Sequence, residues 1–135
     1  MRASIRATLA AALLLAALPA CQVDRPPDAT YRALVRAMAE RDEEAAWALL
    51  SRATRARLEE RAKVAAAAAP GVVAPNARAL LAGDAPLAVR PPRSITVVEA
   101  GATRAVLRVE APGAPPANVV LVREDGAWKV DLPAG

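Results

Sequence analysis

The chain has 135 residues, with 18 Lys and Arg against 14 Asp and Glu, no His and a single Cys. That length allows one domain, and 55% hydrophobic with 24% charged residues is a globular composition rather than a disordered one. The lack of His excludes catalytic triads, imidazole acid–base chemistry and His–metal ligation, and a net charge of +4 is too small to argue for nucleic acid. Alanine dominates the apolar residues, Phe is absent and aromatics reach only 2%, so the core is expected to be thin.

Met1 to Arg6 carries Arg2 and Arg6 and no acid, and "ATLAAALLLAALPA" from Ala7 to Ala20 is uncharged. A positive region followed by a short apolar run and small residues is the secretory signal pattern. The run is shorter than the roughly 20 residues a spanning helix needs, and Pro19 discourages further helix. "LPAC", Leu18 to Cys21, closes it and resembles the lipobox of bacterial lipoprotein signal peptides. Leu18, Ala20 and Cys21 match the pattern, and Pro19 departs from its usual small residue. The resemblance implies a diacylglycerol thioether on Cys21, cleavage before it and acylation of the new amino group. Two or three acyl chains anchor stably, and in a Gram-negative cell Gln22, in place of Asp, would favour the outer membrane facing the periplasm. The competing reading is a free cysteine after an ordinary cleavable signal. Losing Arg2 and Arg6 leaves 16 Lys and Arg against 14 acids. A lone thiol makes no internal disulfide.

The expected organisation is a signal peptide over 1–20, a lipidated Cys21 with a Pro-bearing tether over 21–28, and one α+β domain over 29–135. Tyr31, Leu34, Val35 and Met38 recur at helical spacing, with Asp28 and Thr30 offering N-cap chemistry. "DEEAAWALLS" predicts a second helix with acids leading and Ala46, Trp47 and Leu50 inward. Ser51 is expected to cap a third, "RATRARLEERAKVAAAAA", whose apolar line is Leu58, Ala62, Ala65 and Ala69 and whose Glu59 pairs with Lys63. Its Arg and Lys cluster, diluted by Glu59 and Glu60, reads as a solvated face. Between Pro70 and Pro92 only a helical turn at "NARALLAG", closed by Gly83, and a short edge strand at 86–90 are expected.

Strands follow: 93–100 and 103–111 as a hairpin around Gly101, then 118–124 and 127–132 joined by a turn at "EDGA". Ala105, Leu107 and Val109 should face the core, Val106 the wet side with Arg104 and Arg108. Trp128, Val130 and Leu132 should point inward against Lys129 and Asp131 outward. Helices followed by antiparallel strands give an α+β plan.

Two stretches, "YRALVRAMAERDEEAAWALLS" and "VVLVREDGAWKVDL", resemble the opening helices and closing strands of the nuclear-transport-factor-2-like superfamily. The resemblance implies N-terminal helices packed on a bent, cone-like antiparallel sheet of cystatin-like form. Its ketosteroid-isomerase-like members use a carboxylate base and a Tyr/Asp pair inside the cone. Here the lone Tyr31 sits on the first helix, and Asp84, Glu99, Glu110 and Asp131 match no catalytic position. The expected function is therefore a membrane-anchored, non-enzymatic module, binding a small apolar ligand or an envelope protein. An isomerase- or cyclase-like enzyme using a buried carboxylate is the alternative. Tyr31, Trp47 and Trp128 are the candidate ligand-binding residues, although the two tryptophans read first as core fillers of an alanine-rich domain and only second as pocket walls. No catalytic residue, metal or cofactor is expected.

Overall fold

The computed structural model describes residues 24–73, 75–82 and 91–133. The expectations for the signal peptide, Cys21, Gly83, Asp84 and the 86–90 strand lie outside the described residues. Within them the fold is α+β: α1 (Pro27–Ala39), α2 (Glu43–Leu49), α3 (Arg52–Ala68) and α4 (Ala79–Ala82) precede β1 (Ser94–Ala100), β2 (Arg104–Glu110), β3 (Ala117–Glu124) and β4 (Ala127–Asp131).

The first helix begins earlier than Asp28 or Thr30 would have it. Its N-cap is Pro26, without a side-chain cap, and Pro27 opens it. Proline is suited to this place because its fixed φ is already helical and the N–H it lacks would be unpaired anyway. Asp28 stands in the first turn, where the helix dipole favours an acid. Thr30 is buried inside the helix and donates its hydroxyl back to the Pro26 carbonyl at 3.1 Å. Arg41 takes a left-handed φ of 57° to turn the chain, and Asp42 caps α2 by accepting from the Ala45 N–H at 2.9 Å.

Leu50 leaves α2 in extended form and makes a parallel bridge with Val130, so this connection continues the sheet beyond β4. Ser51 donates its N–H to the Val130 carbonyl at 2.9 Å, then caps α3 by accepting from the Thr54 N–H at 3.0 Å. In α3 only Thr54, Leu58 and Ala62 are buried. Ala65 and Ala69 are half-buried, so the apolar line runs past its cover. Lys63 pairs with Glu60 at 3.8 Å rather than with Glu59. Both spacings bring helix side chains together, and exposed pairs of this kind are held weakly.

The sheet is an antiparallel meander in the order β1-β2-β3-β4, open and not closed into a barrel. A register shift between Val97 and Glu99 marks a bulge in β1, a device that bends the strand carrying it. Ala105 pairs with Leu121, and Leu121 with Val130. The inward side chains of β2, β3 and β4 thereby share one face, against which α1 packs. At the β3–β4 turn Asp125 and Gly126 both have positive φ, 50° and 77°, as a two-residue turn matched to strand twist requires. Val106, expected to be wet, is buried on the opposite face. It lies in a central strand opposite Val120, between Arg104 and Arg108, whose long aliphatic stems can cover an apolar neighbour.

Candidate functional site

Tyr31, Trp47 and Trp128 belong to one hydrophobic cluster with Leu34, Leu50, Leu58, Leu107, Leu121 and Val130, and are only 7%, 9% and 8% exposed. Each is part of the packed interior between helices and sheet. The Arg123 guanidinium lies over the Trp128 ring at 5.5 Å, and that of Arg78 over Trp47 at 5.8 Å, distances at which a cation is drawn to the ring face.

Burial pushes the Tyr31 hydroxyl above its ordinary value of 10.0. Its phenolate is therefore favoured in the unfolded chain, and the contribution present at neutral pH is lost as pH rises through the folded value. As the only tyrosine, it should ionise late in an absorbance titration, together with loss of tertiary circular dichroism. Ionisation at the ordinary value in a still-folded chain would place the hydroxyl in water.

Of the three residues, Trp47 alone lines an open groove of about 340 Å³, together with Glu59, Lys63, Pro75, Asn76, Ala77 and Arg78. One wall is the face of α3 bearing Glu59 and Lys63, the other the 75–78 segment. Asn76 shapes that segment by accepting the Arg78 N–H on its side-chain oxygen at 3.1 Å, an Asx-type turn. Sequence reasoning missed this wall because 70–92 carries no periodicity. Its one local signal was Asn76 after Pro75. The groove offers an aromatic edge, two cations and one acid, so it suits recognition of mixed polar and apolar groups.

A second polar cluster joins α3 to β4. Asp131, expected to be wet, is half-buried, and its Oδ1 accepts from Ser51 Oγ at 2.6 Å and Thr54 Oγ1 at 3.2 Å. Thr54 Oγ1 accepts the Leu132 N–H at 2.9 Å, and Arg57 donates to the Leu132 carbonyl. The Ser51 proton is turned toward a carboxylate and its lone pair toward a backbone N–H, so this group fastens the last strand rather than attacking a substrate. Nearby, Lys129 donates to the Ala48 carbonyl at 2.6 Å. Its pKa is lowered by burial first and Arg55 second, with Glu124 and Asp125 opposing.

The carboxylates that an enzyme would need are placed elsewhere. Glu99 pairs with Arg104 at 3.0 Å, and both side chains are about half exposed. Glu110 lies 4.0 Å from Arg108 at the far end of β2. Among the described residues none of the buried side chains is a carboxylate, and no group of three Asp, Glu, His or Cys could hold a metal ion. No helix among them is long and apolar enough to cross a membrane. Comparison of the chain with protein-family profiles, with curated proteins and with solved structures finds no match.

Proposed function

We propose that the chain is an exported lipoprotein whose mature form begins at Cys21, is held to the cell envelope by acyl chains, and presents a non-enzymatic binding domain of nuclear-transport-factor-2-like type. The observation that carries this reading is "LPAC" after Arg2, Arg6 and an uncharged apolar run, with no other cysteine in the chain. Helices followed by a four-stranded antiparallel meander support the fold assignment. In a Gram-negative cell Gln22 favours the periplasmic face of the outer membrane.

The binding surface in this reading is the groove between α3 and 75–78. Its openness and its charged rim of Glu59, Lys63 and Arg78 suit a segment of an envelope protein better than an enclosed apolar ligand, which would require a dry cavity.

Cells expressing the full chain and fed an alkyne fatty acid should label it. Cys21→Ala should abolish the label and leave the uncleaved precursor. In the same cells a photo-crosslinker replacing Lys63, an exposed groove residue on α3, should give one discrete protein adduct from the lipidated chain. Labelling that survives Cys21→Ala contradicts the anchor, and the absence of any adduct contradicts the groove.

A further inference from the structure

We infer that the lipid-anchored domain rests on the bilayer in one orientation, with the sheet end that carries the β1–β2 and β3–β4 turns against the lipid headgroups. The inference rests on acylation of Cys21.

The chain is tied to the fold from Asp24 onward. Both carboxylate oxygens of Asp24 lie 2.9 Å from an Arg123 guanidinium nitrogen. Arg123 is itself held, its guanidinium over the Trp128 ring at 5.5 Å and its backbone N–H on the Thr103 carbonyl at 2.9 Å. Two residues on, the Pro26 carbonyl accepts both the N–H and the hydroxyl of buried Thr30, at 2.9 and 3.1 Å. Cys21 precedes Asp24 by three residues, a span of at most about 11 Å when fully extended. An acyl group on its sulfur, seated in the bilayer, therefore keeps Asp24 close to the surface.

What surrounds Asp24 is fixed by the topology. In the meander the β1–β2 connection, Gly101 to Thr103, and the β3–β4 turn, Asp125 and Gly126, lie at the same end of the sheet. The Arg123–Thr103 hydrogen bond places the Asp24 clasp there too. Val97 and Val98 of edge strand β1 are 42% and 53% exposed but stand back from this end, Val97 lying opposite Leu107 at the middle of β2. The β2–β3 connection, residues 111–116, is at the opposite end, beyond the seven residues of β2, about 20 Å further out. The surface is thus set by a short tether rather than by charge, since Asp24, Glu124 and Asp125 stand beside Arg25, Arg52 and Arg123.

Acylation occupies the sole native thiol, so a cysteine introduced elsewhere labels uniquely. The lipidated chain carrying a fluorophore at Ala102→Cys or Ala114→Cys, both exposed positions, is reconstituted into phosphatidylethanolamine and phosphatidylglycerol vesicles containing a headgroup-nitroxide lipid. The Ala102→Cys probe should be quenched and the Ala114→Cys probe should keep its intensity. Adding Asp24→Lys, which repels Arg123 and frees more tether, should weaken the quenching at Ala102→Cys while flotation with the vesicles persists. Equal quenching at both sites, or stronger quenching at Ala114→Cys, overturns the orientation. A chain that fails to float refutes the acyl anchor itself.

Discussion

Trp128→Ala is expected to lower the unfolding free energy by about 3–5 kcal/mol, the range for deleting a large aromatic from a packed interior. Urea denaturation of the unlipidated domain measures it. Trp128 is 8% exposed on the inward face of β4 and clusters with Leu121 and Val130. In an interior built largely of Ala, Val and Leu, few side chains could relax into the space an indole leaves. Domains of this size are stable by only about 5–15 kcal/mol, so the variant should sit close to its unfolding transition. Arg123→Ala removes the cation over the ring, a contact worth about 0.5–1 kcal/mol at a partly exposed site, together with the exposed ion pair to Asp24, which adds at most about 1 kcal/mol. The contrast separates two roles for the tryptophan. A loss below about 1 kcal/mol for Trp128→Ala, far under the cost of a core deletion, would make the indole a pocket wall with little packing role.

Ser51→Ala should cost about 2–4 kcal/mol through two effects that share one hydroxyl. The N-cap of α3 disappears, typically about 1 kcal/mol, because the Thr54 N–H loses its acceptor at 3.0 Å. Half-buried Asp131 loses its 2.6 Å partner, a charge-assisted bond worth about 1.5–3 kcal/mol. The sum is large for so small a truncation because Ser51 is fully buried at the junction of α2, α3 and β4. A double-mutant cycle with Asp131→Ala should be clearly less than additive, with a coupling of about 1 kcal/mol or more. Strict additivity would show that the two groups act independently.

The helices and strands could be read in the sequence wherever local chemistry and tertiary packing agree. Asp42 and Ser51 cap the helices they precede, and the Asp125–Gly126 pair makes the tight turn that its residue types favour. Ala105, Leu107 and Val109 face the core as alternation requires. Where contacts distant in sequence decide, the pattern misleads. Asp131 alternates as an outward residue, yet the chain at Ser51, eighty residues earlier, packs beside it and supplies its partners. Val106 is buried in a central strand with Val120 opposite it, a cross-strand neighbour that periodicity along its own strand cannot report. At α1 a proline opens the helix where two better-known capping residues follow it.

The site was less legible than the fold. Tyr31, Trp47 and Trp128 are gathered in one interior, as large side chains in an alanine-rich chain must be. Only Trp47 meets the groove, because the opposing wall is an aperiodic segment held by the Asn76 turn. Lys63 and Glu59 read in sequence as members of a solvated face, and only the folded path of 75–78 brings that face opposite Arg78. The motif behind the proposed anchor, "LPAC" ending at Cys21, is a local pattern that needs no tertiary contact to be read.

A mature chain that begins at a lipidated Cys21 is the proposal on which the envelope assignment and the membrane orientation both stand. Intact-mass spectrometry of the protein extracted from its native membrane tests it most directly. The expected species is a chain starting at Cys21, heavier than its amino acids by a diacylglycerol and an amide-linked acyl group. A chain whose mass equals its unmodified sequence, with a thiol that alkylates freely, would contradict it.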